Sequence, residues 1–167
     1  MGLLSFIKDA GEKLFGKGQA QAAQQAASAD PSPEKIAAAN SAAAQAIEAY
    51  IQTMAIDISS LQFEVDGAAG AVTVSGQVAD QITKEKVVLC CGNVSGIAQV
   101  NDLMTVAQPA DESRYYTVVR GDTLSKIAKE HYGNANAYMQ IFEANKPMLS
   151  HPDKIYPGQM LRIPPAA

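Results

Sequence analysis

The chain has 167 residues, room for one domain or two small ones. Its 47% hydrophobic and 18% charged content is globular, although much of the apolar fraction is alanine. A net charge of -4 with both signs interspersed lacks the basic footprint of a nucleic-acid binder, and no window approaches the length of apolar run that a membrane helix needs.

The first residues, MGLLSFIKDAGEKLFGKG, carry no early Lys or Arg, and the apolar run from Leu3 to Ile7 stops at Lys8-Asp9. A secretory signal needs a basic start, a longer apolar run and a small-residue cleavage site. Phe6 stands where a myristoylation motif wants Ser or Thr. The expectation is a cytoplasmic protein. Within residues 1–15, Leu3, Phe6, Ile7, Ala10 and Leu14 fall near helical spacing, with Lys8, Asp9, Glu12 and Lys13 toward the other side. A helix this short is unstable alone and must dock on something.

Residues 16–33 have few large apolar groups and read as a flexible linker or a frayed helix. Ser32-Pro33 is a helix start, with Ser as cap and Pro at the first helical position. From there Ile36, Asn40, Ala43, Ile47, Ile51 and Met54 trace one face of an alanine-rich helix. Leu61, Phe63 and Val65 then alternate with polar residues, as do Val72 and Val74, around the turn Asp66-Gly67-Ala68-Ala69-Gly70. That pattern predicts a hairpin. A second helix is expected from about Ile82 to Cys91, burying Val87, Val88 and Cys91 and ended by Gly92, before a third strand from Val100 to Val106. The adjacent thiols Cys90 and Cys91 lack metal-ligand spacing, and a vicinal disulfide would strain the backbone, so both read as small buried helix residues.

The order helix, strand, strand, helix, strand predicts an α+β sandwich over residues 34–106, with its helices on one sheet face. Residues 107–114 form a polar linker, and residues 115–165 a second unit. That unit opens with Tyr116 and Val118, turns at Gly121-Asp122-Thr123-Leu124, and closes with Ile155-Tyr156-Pro157-Gly158-Gln159 and the strand Leu161-Arg162-Ile163. Asp122 is expected to cap the helix carrying Leu124, Ile127 and Ala128, and Tyr138, Ile141 and Phe142 to form the core of a second helix. His131 is expected on an exposed helix face. Ser125 and Ser150 have no His and Asp partners in any motif, and no phosphate loop, nucleophile elbow or metal cluster is present, so no catalysis is expected.

YTVVRGDTLSKIAKEHYGNANAYMQIFEANKPMLSHPDKIYPGQMLRIP (116–164) resembles a LysM domain, which implies a βααβ fold and, in relatives, binding of N-acetylglucosamine polymers such as peptidoglycan. VTVSGQV (72–78) and the stretch from Lys86 to Met104 resemble a BON domain. Together with GLLSFIKDAGEKLFG, the combination is similar to the small cytoplasmic potassium-binding proteins of bacteria, apart from a longer, alanine-richer region at 16–55 whose role the resemblance does not supply.

The resemblance implies a K+ site made of main-chain carbonyls, at Ile7, Lys8 and Ala10 of the N-terminal segment and at Gly92, Val94 and Ile97. Potassium is selected by rings of backbone oxygen rather than by carboxylates. The end of a helix leaves carbonyls without intrahelical partners and carries about half a negative charge. Gly92 and Gly96 are expected to give that turn freedom to adopt positive φ. Ion binding would then bridge the N-terminal segment to the first domain and draw the two domains together. A monomeric sensor or buffer is implied, with the LysM face free for a protein partner. A cell-wall binding module is the alternative.

Overall fold

A computed structural model describes residues 32–94 and 97–167. The expected N-terminal helix and nearly all of the expected linker at 16–33 lie outside the described residues. From Pro33 the elements follow the expected order. Helix α1 (Pro33–Thr53) is followed by strands β1 (Leu61–Asp66) and β2 (Ala71–Asp80), helix α2 (Gln81–Gly92) and strand β3 (Gln99–Gln108). The second unit contains β4 (Arg114–Thr117), α3 (Leu124–Tyr132), a 3-10 turn (Ala135–Ala137), α4 (Tyr138–Ala144) and β5 (Met160–Ile163).

The Ser32 hydroxyl caps α1 by accepting from the Lys35 amide, and Pro33 begins the helix. The face α1 buries is Ala39, Ala43, Ala44, Ile47 and Ile51. This is narrower and richer in alanine than the sequence stripe: Ile36 and Asn40 are half-buried. Asn40 has a different task, its Oδ1 accepting from the Gly67 amide at 3.1 Å. Small side chains let the helix backbone approach the sheet closely, which accounts for alanine at these positions.

β1 and β2 pair antiparallel from Leu61↔Gly76 to Asp66↔Ala71, and Asp66 Oδ1 receives the Ala68 and Ala69 amides in the turn. β2 continues past the hairpin and pairs parallel with β3, from Ala71↔Gln99 to Asp80↔Gln108. The sheet order is therefore β1-β2-β3, with α2 as the crossover. The Asp80 carboxylate caps α2 through the Thr83 amide at 2.7 Å. Val72, Val74, Val87, Cys90 and Cys91 meet Ile47 and Ile51 in one core. Gly76 adopts φ +123°, and a Cβ there would stand 2.1 Å from the Ser60 carbonyl oxygen, so this position demands glycine on both counts.

In the second unit β4 and β5 pair antiparallel, with Tyr116 opposite Leu161. Leu124, Ile127, Ala128, Ile141, Phe142, Leu161 and Ile163 form a separate core. Two local expectations are corrected. The cap of α3 is Thr123, whose hydroxyl accepts from the Lys126 amide, whereas Asp122 accepts from the Tyr116 hydroxyl at 2.7 Å and the Val119 amide at 2.9 Å. One residue of offset turns a helix cap into a brace for the loop that enters the helix. His131 is half-buried rather than exposed: its ring stands edge-on to Tyr116, and its Nε2 is buried with no hydrogen-bond partner among the described residues.

Candidate functional site

The end of α2 is where the sequence points, and its backbone is tightly tied. The Asn93 amide donates to the Leu89 carbonyl at 3.1 Å, and the Val94 amide to the Cys91 carbonyl at 3.2 Å. The chain then folds back, with Ile97 N–H on the Val94 carbonyl at 3.1 Å and Ala98 N–H on the Gly70 carbonyl at 2.7 Å. A carbonyl has two acceptor positions, so the Val94 oxygen retains one beyond its bond to Ile97. Val94 is buried and Ile97 packs against the first core. The last turn of α2 holds no basic residue, so no side chain there offsets the negative end of the helix.

Of the six expected ligand positions, Gly92, Val94 and Ile97 thus fall on one turn. Ile7, Lys8 and Ala10 lie outside the described residues, as does the expected bend at Gly96. Gly92 itself is corrected in one respect. It remains helical and is not among the glycines with positive φ. Its lack of a side chain answers to crowding instead, because a Cβ there would lie 1.9 Å from the Met160 methyl.

Met160 belongs to the other unit, and the same turn grips it a second time. The Asn93 side chain donates from Nδ2 to the Met160 carbonyl at 2.9 Å and accepts from the Met160 amide at Oδ1 at 2.7 Å. Further back on α2, Glu85 is 3% exposed and Arg162 of β5 is 7% exposed. Arg162 Nε donates to Glu85 Oε2, while Glu85 Oε1 accepts from Gln81 Nε2 at 3.0 Å and from the Ser113 amide at 2.7 Å. Arg162 Nη1 reaches the Ala144 carbonyl at 3.3 Å, and the Tyr115 hydroxyl donates to the Glu85 carbonyl at 3.4 Å. The two units therefore share a polar seam, α2 against β5. Met148 adds an apolar contact from the second unit to the first core.

Comparison with known proteins matches this architecture. A BON domain model matches residues 39–108 and a LysM domain model residues 116–164. The "Potassium binding protein Kbp" of Escherichia coli O6:H1 (strain CFT073) is 46% identical over 164 residues, covering 98% of this chain and 99% of that protein. The chain belongs to this BON–LysM family. An "Uncharacterized protein" of Deinococcus radiodurans is 41% identical over 75 residues, 43% of this chain and 29% of that protein.

The electrostatics of the BON–LysM seam depend on satisfied hydrogen bonds. Burial of Glu85 raises its pKa, but the bonds from Ser113, Gln81 and Arg162 outweigh that and hold the carboxyl below its ordinary value. It therefore faces Arg162 as a carboxylate. Behind it in the BON core, burial pushes the Cys90 thiol up to about 12, and Cys91 higher still, so neither is a thiolate at neutral pH. Tyr50 of α1 is raised to about 12 by burial, with Cys90 and Tyr156 of the LysM domain adding to the shift.

Among the described residues no group of three or more His, Cys, Asp or Glu side chains is placed to hold a metal. No described helix is long and apolar enough to cross a membrane.

Sequence reasoning missed the seam. Its signal was present in part: Gln81, Glu85, Leu89 and Gly92 recur at four, four and three residues along α2, a second face beside the one turned to the sheet. Three of these, Gln81, Glu85 and Leu89, are buried. A buried acid on such a face asks for a cationic partner, but nothing local says that the partner is 77 residues away.

Proposed function

We propose that this chain is a cytoplasmic potassium-binding protein, acting by binding and not by catalysis, that takes up K+ through main-chain carbonyls. The observation that carries the reading is 46% identity, over nearly the full length of both chains, to a protein named for potassium binding. The proposed ligands are the carbonyls of Ile7, Lys8 and Ala10 from the N-terminal segment and of Gly92, Val94 and Ile97 from the turn after α2. The C-terminus of α2, with no basic residue in its last turn, presents the main-chain oxygen that a weakly hydrated monovalent ion would use. Binding would fasten the N-terminal segment onto the BON domain and favour the closed arrangement of the two domains, the property of a sensor or buffer.

The test is a thermal melt in potassium chloride beside sodium chloride at equal ionic strength. A ligand at a hundred times its dissociation constant adds about 2.7 kcal/mol to the folded state. For a chain of this size that raises the midpoint by roughly 5–11 °C. Rubidium should substitute better than sodium, which is too small to reach every carbonyl of the ring at once. Identical melts in the two salts over a wide concentration range would refute the reading.

The LysM match favours a second reading, binding of N-acetylglucosamine polymers by that domain. Retention on purified peptidoglycan, unaffected by potassium, would support it.

A further inference from the structure

We propose that Asn93 is a positioning residue through which LysM docking sets the geometry of the cation turn. The inference rests on the potassium reading above and adds a specific mechanical link to it. Asn93 stands between Gly92 and Val94, two of the proposed ligand positions, and its own amide belongs to the turn through its bond to Leu89. Its side chain uses both its donor and its acceptor on the backbone of one residue, Met160, at 2.9 and 2.7 Å. A single hydrogen bond allows rotation about its axis, whereas a paired donor and acceptor fix the plane of the amide. The Asn93 side chain, and the peptide units on either side of it, are thereby oriented by β5 of the LysM domain.

Two other contacts hold β5 in the position where the clasp works. The Met160 methyl occupies the space left by the missing side chain of Gly92. Two residues along the strand, Arg162 meets the buried carboxylate of Glu85, on the same helix as the turn and two helical turns before it. Arg162 is itself held from behind, since Asn145 Nδ2 donates to its carbonyl and Asn145 Oδ1 accepts from its amide, both at 2.8 Å. A rigid strand is thus clamped to α2 at two points, one of them inside the turn.

The consequence is coupling. When β5 is docked, the peptide planes on either side of Asn93 are fixed, and the ion meets carbonyls already aimed. When β5 is released, those planes are freer and the ion must order them itself. Anything that binds the docked form better must in turn stabilise docking, by the same factor. A partner that took β5 or the Met160 contact for itself would accordingly release potassium.

The experiment is a calorimetric titration of the full chain with potassium chloride in choline chloride at constant ionic strength, repeated with sodium chloride. Two variants are compared with the unaltered chain. Asn93→Ala removes the clasp. The paired replacement Glu85→Gln with Arg162→Met weakens docking at a distance and touches none of the residues from Gly92 to Ile97. The expected result is potassium binding weakened in both variants by about 5- to 20-fold, the lower part of the ordinary range of allosteric couplings. The preference for potassium over sodium should also fall in Asn93→Ala, a change that a loss of stability alone would not produce.

Unchanged potassium affinity in both variants, with the unaltered chain binding normally, overturns the inference and leaves the potassium reading intact. Weakening confined to Asn93→Ala overturns the coupling, because the effect is then local. Should Asn93→Ala fail to fold by circular dichroism, the paired variant decides. Failure of the unaltered chain to bind potassium overturns the potassium reading itself, and this inference with it.

Discussion

Replacing Arg162 by Met tests the seam most directly. Methionine replaces the apolar stem with one of similar length but lacks the guanidinium that faces Glu85. Both partners are nearly inaccessible, at 3% and 7% exposure, so water cannot replace what is lost. Removing one member of a buried ion pair costs about 3–5 kcal/mol, chiefly the penalty of the charge left behind. Gln81 and the Ser113 amide still donate to Glu85, so the lower end applies, about 3 kcal/mol. For a chain of this length that lowers the melting midpoint by roughly 6–12 °C. Urea unfolding followed by circular dichroism suits the measurement, because the chain has no tryptophan to report by fluorescence.

The decisive quantity is the double-mutant cycle with Glu85→Gln. Each single change strands a buried charge and the double change strands no charge, so the double variant should be more stable than the sum of the two losses predicts, by about 1.5 kcal/mol or more. Losses that simply add, or an Arg162→Met variant within about 0.5 kcal/mol of the parent, would show that the pair is not a buried contact between the domains in solution.

Acidification should act on the same pair. The folded-state pKa of Glu85 is held below its ordinary value of 4.5, so its contribution is present above that value and is lost as pH falls through the folded one. Stability measured from pH 6 downward should decline below about pH 4.5, and Glu85→Gln should flatten that decline. Asn145→Ala should cost about 3 kcal/mol in a thermal or urea melt, since Asn145 is 1% exposed and bonds the Ile141 carbonyl and both backbone groups of Arg162. Gly76→Ala should destabilise the BON domain by about 3 kcal/mol, combining an unfavourable φ with a Cβ pressed onto the Ser60 carbonyl. A midpoint within 2 °C of the parent for either variant would contradict the geometry from which it is argued.

Gly92→Ala is a subtler case, since a helical glycine gains about 1 kcal/mol of propensity on becoming alanine. Here the new methyl meets the tip of Met160, so docking should weaken and Met160→Ala should restore it. Potassium affinity or the elution volume on gel filtration would report the rescue.

The sequence by itself determined the elements and most of their order. Alternation at Phe63 and Val65 and at Val72 and Val74, the Ser32-Pro33 start of α1, and the apolar spacing of Ile127, Ala128, Ile141 and Phe142 are local signals. They are legible because a helix or a strand repeats its geometry over a few residues. The same locality explains the misreadings. Thr123 and Asp122 are adjacent and both able to cap, and only the placement of Val119 and Tyr116 decides between them. The face of α1 shifted to Ala39 and Ala44 because the depth of burial is set by how close the sheet comes.

The tertiary structure alone decided the seam. Asn93 had no role in the sequence reading, Gly92 read as a residue wanting positive φ, and Arg162 only as part of a strand. Each takes its meaning from a residue 67 to 77 positions away, or from a methionine methyl that no local pattern places. Contacts between domains leave no periodic trace in either partner. A buried charge such as Glu85 shows that a counter-charge is needed, and only the packing of β5 against α2 says which residue supplies it.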